Sequence, residues 1–141
     1  TEFFRMINPI EHSKTKDSAN KYKVEPYVIA ADIYGQGSLA GRGGWTWYTG
    51  SSSWMYEAGI KYILGLNIVR DFLRVKPCIP KEWKEYSIKY RYGNSIYNIT
   101  VKNENGKNTG VEKFILNGEE IPDKQVKLNK MGGIYHIDII M

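Results

Sequence analysis

Ser87-Ile88-Lys89-Tyr90-Arg91-Tyr92-Gly93-Asn94-Ser95-Ile96-Tyr97-Asn98-Ile99-Thr100-Val101 is the stretch on which the reading of the fold turns. Apolar and polar residues alternate from Ser87 to Tyr92, Gly93-Asn94 punctuates, and Ile96 to Val101 follows as a partner. A period of two on both sides of a short glycine-containing break is the pattern of a β-hairpin. Working outward, Phe72-Leu73-Arg74-Val75 leads into Pro77 and Pro80, while Val111 to Leu116, Val126 to Leu128 and Ile134 to Ile140 supply further strands. Asn117-Gly118 favours a tight hairpin turn, and Gly132-Gly133 marks another break. About six short strands separated by turns predict an antiparallel sandwich or a small curled sheet.

Upstream of about Asn67 the grammar is different. Thr1 to Ile7 reads as the tail of a helix stopped by Asn8-Pro9, because a residue before proline avoids the helical region. Ser13 to Lys21 is polar and reads as a loop. Glu25-Pro26-Tyr27 opens the apolar segment Val28 to Ile33, with Pro26 where a first helical turn tolerates it. Gly35, Gly37, Gly41, Gly43 and Gly44 crowd a loop in which the backbone is free to approach a ligand closely. After Ser51-Ser52-Ser53, the residues Trp54, Ala58 and Tyr62 fall on one helical side, with Met55, Gly59 and Ile63 beside them and Gly65 as the stop. This helix is apolar around much of its circumference, so it is expected between other helices. Few helices in the chain could cover it, and Thr1-Glu2-Phe3-Phe4-Arg5 reads as an element entered partway, so its neighbours are expected upstream. The expected division is a helical and loop part, residues 1–67, followed by a β domain, residues 68–141.

Composition narrows the function classes. The chain is 42% hydrophobic and 13% aromatic, with 11 Tyr and 4 Trp, side chains whose flat apolar faces and polar tips suit both cores and sugar rings. A net charge of +5 with dispersed lysines forms no basic stripe, which argues against nucleic acid as a partner. Cys78 is alone, so there is no disulfide framework, and no apolar run reaches the length of a membrane helix.

The chemistry concentrates in Gly41-Arg42-Gly43-Gly44-Trp45-Thr46-Trp47-Tyr48-Thr49-Gly50-Ser51-Ser52-Ser53-Trp54. Open amides at a helix start favour an anion, Gly50 admits a phosphate oxygen to the main chain, and Thr49 offers a hydroxyl. The plainer alternative, favoured by spacing alone, is that Thr49 or Ser51 simply caps the helix. Glu25 can accept sugar hydroxyls or can serve as a helix N-terminal acid. Arg42 can bind sugar or phosphate or sit on the surface. Trp45, Trp47 and Trp54 can stack on sugar, with Trp54 expected in the core and Trp45, beside the glycines, the better ligand face. No catalytic pair emerges: Asp32 and Asp71 lack partners, His12 and His136 lack metal-ligand spacing, and Ser51 to Ser53 lack the context of a hydrolase nucleophile. Metal ligands are not expected.

Ile7-Asn8-Pro9-Ile10, Tyr22-Lys23-Val24-Glu25-Pro26-Tyr27-Val28, Ala30-Ala31-Asp32-Ile33-Tyr34, Gly41 to Trp54 and Pro77-Cys78-Ile79-Pro80 with Trp83 occur in an order that resembles the C-terminal region of the cellobiose phosphorylase-type enzymes. These are the inverting phosphorylases of glycoside hydrolase family ninety-four. The glycine–tryptophan run looks closest to the branch with β-1,2-oligoglucan phosphorylases and the phosphorylase-like end of cyclic β-1,2-glucan synthases. The resemblance covers nearly all of residues 7–101. It implies a mixed α and β fold, in which the last helices of an (α/α)6 barrel precede an antiparallel β-sandwich-like domain. It implies a glycosyltransferase-type activity in which phosphate cleaves a β-glucoside and α-glucose 1-phosphate forms with inversion. Thr49 and Gly50 match the family's phosphate-binding pair, and Glu25 matches its sugar-subsite element. The family's general acid and its phosphate-binding arginine and histidine match nothing here, so the isolated chain is expected to be inactive. The implied partners are a β-linked glucan or disaccharide, phosphate as co-substrate without any cofactor, the upstream part of the enzyme or a partner chain, and a second copy. The implied location is the cytoplasm, or the cytoplasmic face of the membrane within a cyclic glucan synthase. Two rivals stand beside this reading: a module that controls chain length in such a synthase, and a free-standing carbohydrate-binding module.

Overall fold

Asn8-Pro9 ends one helix and begins another. In the computed structural model, which describes residues 1–47 and 50–141, helix α1 (Glu2–Ile7) stops where Asn8 turns extended at φ −72° and ψ 118°. That is the backbone a residue before proline prefers. The Ile10 N–H donates to Asn8 Oδ1 at 3.1 Å, so the same asparagine caps helix α2 (Pro9–His12). Pro9 takes the first helical position, where a missing N–H costs no bond.

The stretch read as a loop at Ser13 to Lys21 instead carries helix α3 (Lys16–Tyr22). Thr15 and Ser18 form a reciprocal capping box, Ser18 N–H donating to Thr15 Oγ1 at 3.1 Å and Thr15 N–H to Ser18 Oγ at 3.0 Å. Lys23, left-handed at φ 53°, closes the other end. Only Tyr22 of this helix is buried, so caps rather than an apolar stripe specify it. The reverse correction applies after Pro26. Residues 25–33 form no helix: Val28 N–H donates to Glu25 carbonyl at 3.1 Å, a reverse turn with proline at its second position. A one-turn 3-10 helix, Gly37–Leu39, follows within the glycine loop.

Helix α4 (Ser51–Glu57) starts at Gly50 and passes into a π-helical segment, Ala58–Ile63, in which Leu64 N–H donates to Gly59 carbonyl at 2.9 Å. Gly65, at φ +79°, ends it as expected. The expectation that Trp54 lies in the core is overturned. It is 76% exposed, and no residue of α4 is buried. The helical stripe is present, but no described element covers Trp54 or Tyr56. Residues Thr1–Ala58 and Gly59–Met141 form two compact units.

The second unit holds eight strands: β1 (Leu66–Val69), β2 (Phe72–Val75), β3 (Glu85–Tyr92), β4 (Ser95–Lys102), β5 (Lys113–Leu116), β6 (Glu119–Glu120), β7 (Val126–Lys127) and β8 (Gly133–Ile140). The hairpin forms with Tyr92 opposite Ser95, so Gly93-Asn94 is a two-residue turn, and Gly93 supplies the positive φ of 60° that its first position requires. Asn117 and Gly118, at φ 49° and 90°, make the tight turn between β5 and β6. The sheets are β1-β2-β7 and β3-β4-β8-β5-β6. The larger sheet is mixed rather than antiparallel, because β4 and β8 run parallel with Ser95 opposite Gly133 and Lys102 opposite Ile140. The chain between them passes through β5, β6 and β7, a connection long enough to return β8 in the same direction. Alternation fixes which face a side chain takes, whichever way the strand runs.

Side chains from both sheets share one core: Leu66, Leu73 and Val75 from the smaller, Tyr97, Ile99, Val101, Phe114, Ile137 and Ile139 from the larger. Ile139 sits opposite Val101 on one side and Phe114 on the other, with all three fully buried. Buried Asn103 staples the connection after β4: its Nδ2 donates to Trp83 and Lys107 carbonyls at 3.0 and 2.8 Å, and Lys107 N–H donates to its Oδ1 at 2.7 Å. Tyr86 Oη donates to Leu64 carbonyl at 2.6 Å, and burial pushes this phenol well above its usual pKa.

Asn103→Ala, by leaving those buried groups unpaired, is expected to cost about 1–3 kcal/mol in denaturant unfolding. Ile139→Ala is expected to cost about 2–5 kcal/mol by the same measurement. The folded chain keeps Tyr86 neutral at pH values where the unfolded chain ionises it. Its stability contribution is therefore intact below about pH 10 and declines as pH rises beyond. A Tyr86→Phe chain should show a flatter alkaline decline in melting temperature.

Candidate functional site

Within the first unit the glycine-rich stretch folds back on the segment before it. Ala31 N–H donates to Trp45 carbonyl at 2.7 Å, Tyr34 N–H to Arg42 carbonyl at 2.9 Å and Gly41 N–H to Tyr34 carbonyl at 2.7 Å, while Ile33 and Gly43 form an isolated antiparallel bridge. Two further bonds seat this ribbon: Gly43 N–H donates to Tyr22 carbonyl and Gly44 N–H to Asp32 carbonyl, both at 2.8 Å. The approach is close enough that a Cβ on Gly43 would overlap the Val24 side chain, and one on Gly44 would overlap the Asp32 carboxylate. Asp32 Oδ1 accepts the Trp45 N–H at 3.2 Å, giving this carboxylate a positioning contact that its sequence neighbourhood did not suggest.

Glu25 stands at the start of the proline turn, half-buried, and its Oε1 accepts the Trp47 indole Nε1–H at 3.4 Å. Tyr27, two residues on, meets the Trp47 ring edge to face, with centroids 5.8 Å apart and planes at 65°. Trp47 is left-handed at φ 59°, a conformation that costs a bulky L-residue about 1–2 kcal/mol. Despite these contacts the rings stay open to solvent, Tyr27 at 68% and Trp47 at 61% exposed. One carboxylate is therefore bonded to the edge of a pair of exposed aromatic rings that meet each other edge to face.

The expected site residues are distributed as follows. Glu25 joins Tyr27 and Trp47. Arg42 and Trp45 lie on the ribbon paired with residues 31–34, both exposed, with Trp45 at 74%. Gly50, at φ 91°, is the N-cap of α4, and its carbonyl accepts the Trp54 N–H at 2.9 Å and the Ser53 hydroxyl at 2.8 Å. Thr49 lies outside the described residues. The pairing of Trp47 with Glu25 was not legible, because 22 residues separate them and only the turn and ribbon bring them together. Among the described residues no cluster of His, Cys, Asp and Glu could hold a metal ion, and no helix is long and apolar enough to cross a membrane. His12 has a structural post, its ring stacked on Tyr22 at 4.6 Å with Nε2 facing Met6 carbonyl at 2.6 Å.

Exposed aromatic rings beside an oriented carboxylate have the chemistry to receive a polyhydroxylated ring, apolar on its faces and hydroxylated on its rim. Comparison with known proteins agrees with that class. Residues 1–65 match the family model described as the glycosyl hydrolase 94 superfamily, catalytic domain. It is 50% identical over 101 residues to the cyclic beta-(1,2)-glucan synthase NdvB of Rhizobium meliloti (strain 1021), which covers 72% of this chain and 4% of the synthase. It is 33% identical over 115 residues to solabiose phosphorylase of Paenibacillus borealis, covering 81% of this chain and 14% of that protein. With N,N'-diacetylchitobiose phosphorylase of Vibrio furnissii it shares 34% identity over 121 residues, 85% of this chain and 15% of the relative. The chain thus spans a small fraction of the length of the curated relatives it matches. The resemblance read from the sequence is borne out at the level of the family.

Gly44→Ala is expected to push the Asp32 carboxylate off the Trp45 amide at a cost of about 1–3 kcal/mol. Thermal unfolding and the near-ultraviolet tryptophan dichroism check this, and both should change together.

Proposed function

We propose that the chain supplies the C-terminal sugar- and phosphate-contacting part of an enzyme that cleaves a β-glucoside with inorganic phosphate. The product is α-glucose 1-phosphate with inverted configuration. Residues 1–67 are the last helices and active-site loops of an (α/α)6 barrel, and residues 68–141 are its C-terminal β domain. Glu25 accepts hydroxyls of the sugar, Trp45 and Arg42 contact it from the ribbon, and Thr49 with Gly50 holds phosphate. A phosphate oxygen forms the new bond at the anomeric carbon while the glycosidic bond breaks. The proton for the leaving oxygen comes from an aspartic acid outside this chain. One carboxyl suffices, because phosphate replaces the water that a second carboxylate would have to activate. Phosphate is a co-substrate, and no cofactor enters.

The observation that carries this reading is the Glu25 carboxylate bonded to the indole of Trp47, an exposed ring that also meets the exposed ring of Tyr27, inside the stretch that matches a glycosidase-superfamily catalytic domain. The rest of the barrel comes from upstream in the same polypeptide or from a partner chain. The exposed rings of Trp54 and Tyr56 support a missing cover and count against a free-standing carbohydrate-binding module. A homodimer in the cytoplasm completes the proposal.

The 50% identity to a cyclic glucan synthase favours a second reading at the same site. There the phosphorylase-like region trims or limits the length of a β-1,2-glucan made by a membrane-associated transferase. Both readings use the same sugar and phosphate contacts.

The purified 141-residue chain, given sophorose and phosphate, is expected to release no α-glucose 1-phosphate in an enzyme-coupled assay. Release by the pure chain would contradict the placement of the general acid elsewhere.

A further inference from the structure

We propose that Trp47 is a positioning residue for Glu25: its indole N–H fixes the carboxylate orientation that meets the sugar, and this sets affinity for the donor ring. This rests on the sugar-contacting role proposed above for Glu25 and assigns it a partner.

Three observations converge on this pair. The first is the indole Nε1–H donating to Glu25 Oε1 at 3.4 Å, on a side chain that is otherwise a surface carboxylate. The bond uses one lone pair of one oxygen, and among the described residues no second donor takes the remaining acceptor positions. The second is the left-handed backbone of Trp47 at φ 59°. A tryptophan holds such a conformation only where its surroundings determine it, and strain of this kind gathers at ligand sites. Extended backbone at this position would aim the indole elsewhere. The third is the edge-to-face contact with Tyr27, which grips the same indole from a second direction. Glu25 and Tyr27 flank Pro26, whose ring limits the turn that carries them. The carboxylate is thus anchored twice, by its own rigid turn and by an indole delivered from the far end of the ribbon.

Trp45 has a different post. Its backbone N–H is bonded to Asp32 and its carbonyl to Ala31, so it holds the ribbon in register through its main chain. Among the described residues Trp47 is the tryptophan whose side chain donates to Glu25, so the two tryptophans are separable by experiment.

The test is a double-mutant cycle in the full chain. Sophorose affinity is measured by titration for the unaltered chain, Trp47→Phe, Glu25→Gln and the pair of substitutions together. Phenylalanine keeps an aromatic face and the same backbone demand but has no N–H to donate. Trp47→Phe is expected to weaken sophorose binding on the order of tenfold, the scale of one hydrogen bond to a charged group. In the Glu25→Gln background the same change should cost less, since the indole then donates to a neutral amide oxygen rather than to a carboxylate. Trp45→Phe, at a sugar contact that does not work through Glu25, should cost the same affinity with Glu or Gln at position 25, so that cycle is additive.

A second readout needs no tryptophan variant. In heteronuclear NMR, Glu25→Gln should move the Trp47 indole N–H resonance and leave that of Trp45 in place. Independent, additive losses in the Trp47 cycle, or an unmoved Trp47 resonance, would overturn the inference. Sophorose binding that Trp47→Phe leaves unchanged would overturn it while the proposed function stands. Absence of sophorose binding by the unaltered chain would sink the reading of Glu25 and this inference with it.

Discussion

Two backbone amides, those of Gly43 and Gly44, donate to the carbonyls of Tyr22 and Asp32, and the candidate site depends on them. These bonds form only because neither residue carries a Cβ, which would overlap Val24 in one case and Asp32 in the other. They seat the ribbon against the end of α3 and the segment after the proline turn. From that seat Trp45 is held through its backbone and Trp47 reaches back to Glu25. Glycine at these positions serves close approach rather than dihedral freedom: among the ribbon's glycines the positive φ falls at Gly41, whereas Gly43 and Gly44 are needed for their lack of a side chain.

The second unit depends on a different economy. Its core is built from alternate residues of β4 and β8, Tyr97, Ile99 and Val101 beside Ile137 and Ile139, with both sheets contributing. The buried polar side chains are hydrogen-bonded, Asn103 with three bonds and Ser95 accepting the Gly132 N–H. The loop after β4 therefore has a defined shape without an apolar anchor of its own.

How far the sequence alone reaches follows from these two kinds of order. Six strand positions and both tight turns were legible, because period-two patterning and Gly93-Asn94 or Asn117-Gly118 act locally, whereas β1, at the end of the helical stripe, and the two-residue β6 were not. The parallel pairing of β4 with β8 was not, since burial alternation is blind to strand direction. Helix α3 was hidden because its signal is a Thr15–Ser18 capping box in a polar stretch. The proline turn was misread as a helix start because proline suits both. At the site, Glu25 and Trp45 stood out by residue type and by family resemblance, whereas Trp47 as the partner of Glu25 required the ribbon's long-range bonds. Trp54 looked like core because its helical stripe is apolar. A stripe says that a face is to be covered and is silent on whether the cover belongs to the same stretch of chain.

The central claim is that sugar and phosphate meet on this chain as parts of one site. If so, the two ligands must influence each other's binding, since a shared site couples them reciprocally. The most direct measurement is a calorimetric titration of the chain with sophorose in the absence and presence of saturating inorganic phosphate, with sulfate as an ionic control. The account predicts that phosphate changes the sophorose affinity by several-fold or more and that sulfate at equal ionic strength reproduces it only in part. Identical sophorose affinities with and without phosphate would contradict it.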